Sequence, residues 1–179
     1  MLTFPPLAIT VMNLPITTQR LILDEVALSD ADFILELLNS PGWLRYIGDR
    51  GVHNREDAIH YIQSRFIQSY QDNGFGLYKA ALKDTGEPIG LCGFLRRDYL
   101  PSVDIGFALL PAFEGKGFAF EAAQALMETG FGELGFDTVM AIVLPDNLRS
   151  QVLLEKLGLR KTGSHLREGE ALWVYSTSA

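Results

Sequence analysis

The sequence predicts a single α/β domain of the α+β kind, and three observations point to it. The chain has 179 residues, 47% hydrophobic and 21% charged, which is one domain's length at roughly 100 to 200 residues per domain and an ordinary globular composition. Its middle reads as an antiparallel meander of short strands. Behind the meander a strand, a glycine-bearing loop, a helix and an almost continuous apolar strand succeed one another between Asp104 and Leu144, the order of a parallel crossover. No fixed-period repeat, low-complexity tract or long polar linker interrupts the chain, so residues 1–179 are taken as one domain. At this length about 70% of the unfolded surface is buried on folding, and a core forms without metal or disulfide staples.

Taken in order, Thr17 to Val26 reads as the first strand, with Leu21, Leu23 and Glu25 on one side and Ile22 on the other. Ser29 and Asp30 offer an N-cap to a helix carrying Phe33, Ile34, Leu37 and Leu38, which Pro41-Gly42 stops. Asn54, or Arg55-Glu56-Asp57, opens a second helix with Ala58, Ile59, Ile62, Phe66, Ile67 and Tyr70 mostly three or four residues apart, and Asn73-Gly74 ends it. Phe75 to Leu82 and Pro88 to Arg96 form a hairpin across the short polar segment Lys83 to Glu87. Val103 to Leu110 follows the turn Tyr99-Leu100-Pro101-Ser102 as the fourth strand.

Pro111 to Gly117 then leads into a helix, Phe118 to Gly130, whose Ala119, Ala122, Ala123, Leu126 and Met127 make one apolar face. Thr138 to Leu144 is nearly continuously apolar, as a strand buried on both faces would be, and is read as parallel to the one before it. Asn147 caps a last helix, Leu148 to Leu157, which Gly158 closes in a left-handed turn. Leu159 to Leu166 and Ala171 to Thr177 pair across Arg167-Glu168-Gly169-Glu170.

Several function classes are excluded early. Fifteen basic against 22 acidic side chains give a formal charge of −7, an unsuitable balance for nucleic acid, whose binding needs clustered Lys and Arg. Cys92 is the single cysteine, so neither an internal disulfide nor a multi-cysteine zinc site can be written, and a buried, inert thiol is expected. His53, His60 and His165 lack metal-ligand spacing; no metal is expected. Met1 to Met12 is apolar but holds Pro5 and Pro6 and no basic residue, which is not a secretory pattern. No apolar run reaches the roughly 18 residues of a membrane helix. A cytoplasmic protein without membrane or nucleic-acid partners is the expectation.

The unit between Asp104 and Gly130 carries the chemistry. Gly115 and Gly117 leave backbone N–H groups unobstructed where a helix begins, and orphan donors with the positive dipole end bind phosphate oxygens there; a tight turn alone is the alternative. A P-loop does not fit, because Lys116 is followed by Gly117 and no glycine stands five residues before Gly115. The dinucleotide fingerprint places Phe120 at its third glycine, and Asp137 precedes the next strand where the ribose acid should end it.

The segment instead resembles the acyl-coenzyme A loop of the GNAT acyltransferases, whose motif is Arg or Gln, two residues, Gly, one residue, then Gly or Ala. Gly117 and Ala119 match its later positions, while Glu114 stands where Arg or Gln is usual. Thr18-Gln19-Arg20-Leu21, Gly86-Glu87-Pro88-Ile89-Gly90, Asp104-Ile105-Gly106-Phe107, Gly115 to Ala122, Asn147-Leu148-Arg149-Ser150 and Glu155-Lys156-Leu157-Gly158-Leu159 resemble, in order and spacing, the branch of ribosomal-protein N-terminal alanine/serine acetyltransferases. The resemblance runs from about Thr17 to the C-terminus. It implies a mixed, mostly antiparallel sheet of six or seven strands flanked by helices and splayed between the fourth and fifth, with coenzyme A in the opening.

The same resemblance assigns residues. The backbone of Phe107, Ala108 and Leu109 would bond the pantetheine arm, and the N–H groups of Gly115, Lys116, Gly117, Phe118 and Ala119 the pyrophosphate. Asn147 would contact the cofactor, act as an N-cap, or both. Acetyl transfer requires a neutral amine, and Asp104 is the candidate base, with a turn or a pair to Arg96 or Arg97 as its alternative. Leu154 occupies the position of a frequent tyrosine acid, so Ser150, one turn earlier, is the candidate proton donor to the leaving thiolate. Trp43, Tyr46 and Arg50, in the connection between the first two helices, would wall the acceptor pocket or cover a core edge.

The expected function is an acetyl-CoA-dependent N-acetyltransferase acting by direct transfer on a small amine or a protein N-terminus, with a homodimer entertained as its assembly. Glu114 and Leu154 keep a non-catalytic acyl-CoA-binding or sensing module as the alternative.

Overall fold

The computed structural model describes residues 9–178; of the apolar stretch Met1 to Met12 only Ile9 onward falls among them, so the leader reading lies outside the described residues. One eight-stranded sheet runs in the order β1-β2-β3-β4-β5-β6-β8-β7. The strands are β1 (Ile16–Thr17), β2 (Leu21–Asp24), β3 (Leu77–Leu82), β4 (Pro88–Leu95), β5 (Asp104–Leu109), β6 (Met140–Val143), β7 (Arg160–Arg167) and β8 (Glu170–Ser176). The helices are α1 (Ala31–Leu38), α2 (Pro41–Tyr46), α3 (Arg55–Tyr61), α4 (Gln68–Asn73), α5 (Phe118–Gly132) and α6 (Leu148–Lys156).

The eighth strand comes from the predicted first one. Thr18 breaks it: its N–H donates to the Leu21 carbonyl, and its hydroxyl accepts from the Leu21 N–H. A side chain that bonds its own backbone three residues on makes a turn where periodicity shows only a strand. Pro41 ends α1 as expected but also starts α2 at its first position, where a proline's fixed φ and missing N–H are harmless. Trp43 and Tyr46 therefore lie on a helix rather than in a loop. Between α3 and α4 the long second helix widens into a π-helical segment, Ile62–Ile67, which keeps Ile62 and Phe66 buried.

Two apolar clusters cover the two faces of the sheet. Against one, α5 and α6 bring Ala122, Ala123, Leu126 and Leu154 onto Leu21, Leu23, Tyr78, Phe94 and Ile105. Against the other, α1 to α4 and the π segment bring Phe33, Ile34, Leu37, Trp43, Ile62 and Phe66 onto Leu91 and Leu110. The small side chains of Ala122 and Ala123 let α5 pack close to the sheet. Gly130 does so more sharply, since a Cβ there would sit 2.8 Å from the Phe94 ring. Cys92 is buried in β4, and burial pushes its thiol well above the ordinary range. Among the described residues no helix is long and apolar enough to cross a membrane.

The sheet is antiparallel except between β5 and β6, which pair in parallel at one position only, Asp104 beside Met140. The Met140 N–H donates to the Val103 carbonyl at 2.9 Å, and beyond that rung the strands part. This is the predicted splay of the fourth and fifth strands, opening toward their C-terminal ends.

Glu121 ties the β1–β2 hairpin to the start of α5. Its carboxylate accepts from the Thr18 hydroxyl (2.7 Å), the Arg20 N–H (2.7 Å) and Arg20 Nε (2.6 Å). Burial alone would raise its pKa, but these bonds and the guanidinium charge outweigh it and the net shift is downward. A depressed carboxyl contributes stability above its unfolded pKa and loses it as pH falls through the folded value. Glu121→Ala should cost about 2 kcal/mol at neutral pH, and the gap to wild type should close on acidification, as read by urea denaturation across that range.

Candidate functional site

The opening between β5 and β6 exposes a row of backbone polar groups. Leu110 N–H donates to Ile89 on β4, while the Val103 carbonyl accepts from Met140 on β6. Alternation along a strand therefore turns even-numbered residues of β5 toward β4 and odd-numbered ones toward β6. Beyond the single rung, β6 is out of reach, so the N–H and C=O of Phe107 and Leu109 face the gap. Of the three residues expected to bind a ligand arm, Ala108 has its backbone turned to Leu91 on β4 instead.

The gap leads to the glycine loop. Gly115 (φ 72°) and Gly117 (φ 82°) both take left-handed backbone, and Gly117 is the N-cap of α5. The N–H groups of Gly117, Phe118, Ala119 and Phe120 have no protein acceptor among the described residues, as the first turn of an uncapped helix requires. Two guanidiniums flank them. Arg20 donates to the Lys116 carbonyl at 3.0 Å and lies 4.3 Å above the Phe118 ring. Arg149, from α6, pairs with Glu114 at 2.9 Å, and its Nη2 would stand 3.2 Å from a Cβ at Gly115. Lys116 Nζ lies 5.8 Å from the Phe113 ring centre. Unpaired amides beside two arginines suit a multiply charged anion such as a pyrophosphate.

Across the mouth of the gap, α6 begins. Asn147 is its N-cap, with Oδ1 accepting from Ser150 N–H at 3.3 Å, so the capping role accounts for that oxygen. The Ser150 hydroxyl has no protein partner among the described residues. Leu154 is buried in the core.

Asp104 begins β5 with 1% of its surface exposed, and both its oxygens accept from Arg97 Nε at 3.0 and 3.1 Å. The pair with Arg97, one of the alternatives open from sequence, is the contact found. Burial raises the Asp104 pKa, and the Arg97 charge and hydrogen bonds lower it without cancelling the rise. Arg97 in turn lines a polar groove of about 1010 Å³ between α3, the π segment and the end of β4. Trp43 is buried among the apolar side chains of α1 to α4, and its indole N–H is the one buried side-chain group without a partner among the described residues. Tyr46 stacks under Arg45 at 4.9 Å; Arg50 lines the groove. Sequence reading missed the two arginines at the loop. Arg20 lay within a matched segment, but nothing in its spacing announced a contact 96 residues away.

A model of the acetyltransferase (GNAT) domain matches residues 20–160. The uncharacterized N-acetyltransferase YnaD of Bacillus subtilis (strain 168) is 30% identical over 148 residues, 83% of this chain and 84% of that one. A solved acetyltransferase from Agrobacterium tumefaciens str. C58 is similar with a TM-score of 0.77 and 26% identity, covering 97% of this chain and 98% of its own. RimL, a ribosomal L7/L12 α-N-protein acetyltransferase solved in complex with coenzyme A, shares the fold at 18% identity with a TM-score of 0.76, over 89% of this chain and 94% of its own.

The Asp104 pair makes a stability prediction. A carboxyl whose folded pKa is raised holds its proton longer than in the unfolded chain, so its contribution falls as pH rises from the unfolded value through the folded one. Arg97→Met leaves burial unopposed and carries that window upward. The variant should lose about 3 to 5 kcal/mol at neutral pH and far less in acid, and adding Asp104→Leu should recover most of the loss in urea denaturation.

Proposed function

The chain belongs to the GNAT acetyltransferase family, and from that premise we propose that it moves an acetyl group from acetyl-CoA to a primary amine, on a protein N-terminus or a small molecule, by direct transfer in a ternary complex. The supporting observation is the continuity of unpaired backbone: the free edge at Phe107 and Leu109 runs into the unpaired N–H groups at Gly117 to Phe120. The first suits an extended amide-bearing arm, the second a pyrophosphate. When bound, acetyl-CoA supplies the activated thioester carbonyl.

The chain's own residues do the rest. The β5 edge orients the arm, and Gly115, Lys116, Gly117, Phe118 and Ala119 hold the phosphates, with Arg20 and Arg149 adding charge. An α-amine has a pKa near ~8 and a lysine amine near ~10.4, so the attacking nitrogen must lose a proton. Asp104 takes it in this proposal, through water on the groove side, since each oxygen engaged by Arg97 keeps a second lone pair. Its raised pKa brings it nearer to the range useful in a base. Ser150, with its hydroxyl uncommitted in the first turn of α6, protonates the departing thiolate. Asn147 holds that turn in place.

Calorimetric titration with acetyl-CoA and coenzyme A should show saturable binding that Gly117→Trp abolishes while circular dichroism stays native; no binding to wild type would sink the proposal. With an amine panel, thiol release should follow, separating an enzyme from a module that only binds. Asp104→Asn and Ser150→Ala should each lower kcat by about a hundredfold, Asp104→Asn also removing the acidic limb of the pH profile. An unchanged profile would make Asp104 a structural partner of Arg97.

A further inference from the structure

The polar groove described above is lined by four arginines and by four acids, Asp49, Glu56, Asp57 and Asp72. Arg50, Arg65, Arg96 and Arg97 all line it, and among the described residues only Arg97 of these has a carboxylate partner, Asp104. The groove's acids keep their charge but form no ion pair with these guanidiniums among the described residues. Asp57 accepts from His53 N–H and Asn54 Nδ2 at the start of α3, Asp49 from Gly51 N–H, and Asp72 from Gln68 Nε2. Glu56 alone among them has no hydrogen-bond partner among the described residues.

Tyr61 lines the same groove as these arginines. Tyr61, at the end of α3, feels the charges of Arg50, Arg65 and Arg97 together, yet burial dominates and raises its pKa, so the phenol stays a neutral donor. Its hydroxyl has no hydrogen-bond partner among the described residues. Arg65 sits within the π-helical segment Ile62–Ile67, an uncommon local geometry that recurs at functional sites. Arg97 connects the groove to Asp104 at the closed end of the β5–β6 opening, which is where an acceptor nitrogen would meet the donor.

We propose that this groove selects acceptors bearing a carboxylate near the reactive amine, held by Arg50, Arg65 and the Tyr61 hydroxyl. The proposal rests on the transfer reading above and narrows its substrate class. The carboxylate comes either from a free amino acid or from an acidic side chain behind a peptide's N-terminus, since both place an anion a few bonds from an amine. Guanidinium pairs with carboxylate in a charge-assisted, directional way that an amide cannot reproduce.

The test measures binding and turnover separately. With coenzyme A present, calorimetry compares the peptides Ser-Glu-Glu-Gly-amide and Ser-Gln-Gln-Gly-amide, and glutamate with its diamide; thiol release from acetyl-CoA is followed for the same four. The carboxylate member of at least one pair should bind about tenfold or more tightly, by a margin that shrinks with added salt. Arg65→Ala, at an exposed position, should erase the preference, and Arg65→Lys should restore part of it. Which pair discriminates identifies the source of the carboxylate. Equal affinity within both pairs, or no binding by any of the four, overturns the proposal. Charge-selective binding without thiol release would uphold the anion site and count against transfer; thiol release indifferent to charge would do the reverse.

Discussion

The parting of β5 from β6 after a single rung is the constraint on which the rest depends. Backbone N–H and C=O groups inside a sheet are strongly hydrogen-bonding, and leaving them unpaired and shielded from water costs roughly 1 to 3 kcal/mol each. A sheet tolerates such a gap only where something else meets those groups. The fold holds the gap open from both sides: α5 packs Ala122, Ala123 and Leu126 under it, and β6 is drawn away by its four-residue pairing with β8. The fixed edge of β5 is thus a product of core packing elsewhere.

The departure at Glu114 from the family's motif is answered in space rather than in sequence. The Arg or Gln usual at that loop position is absent, and Glu114 adds a negative charge. Yet Arg149 reaches across from α6 to neutralise it, and Arg20 arrives from the β1–β2 hairpin on the other flank. Both guanidiniums lie against the two left-handed glycines, so the loop's local field is set by residues 96 and 35 positions away in the chain. Arg20 is itself held by Glu121. The hairpin's small extra strand therefore matters to the site.

What could be read from sequence follows the range of the interactions concerned. The meander, the parallel crossover and both glycine-ended helices rest on periodicity and caps, which are local, and their boundaries shifted by a few residues at most. The Thr18 turn is also local, but a threonine within a β-rich run gives no sign that its hydroxyl will bond backward. The π segment leaves no signal, since Ile62, Phe66, Ile67 and Tyr70 satisfy ordinary helical spacing equally well. Trp43 shows the limit on the site side: an aromatic between helices covers a core or walls a pocket with the same sequence, and only packing against Leu110 and Leu37 separates the two. Ion pairs such as Arg97 with Asp104 were nameable as options, because the two lie seven positions apart across one hairpin.

One strand presents two different faces because its residues alternate. The odd positions of β5, Ile105, Phe107 and Leu109, pack toward α5 with their backbone turned to the gap, while Ala108 and the following Leu110 pack toward α1 to α4. Asp104 shares the even set, and its partner Arg97 opens into the groove on that side. A donor lying along the free edge and an acceptor arriving from the α3 face would then approach the same rung from different directions. Neither has to displace the other, which is the geometric condition for transfer in a ternary complex. A one-residue slip of β5 against β4 would exchange the two faces and bring Asp104 into the α5 core. The six-position register from Gly90 beside Leu109 to Leu95 beside Asp104 prevents that slip.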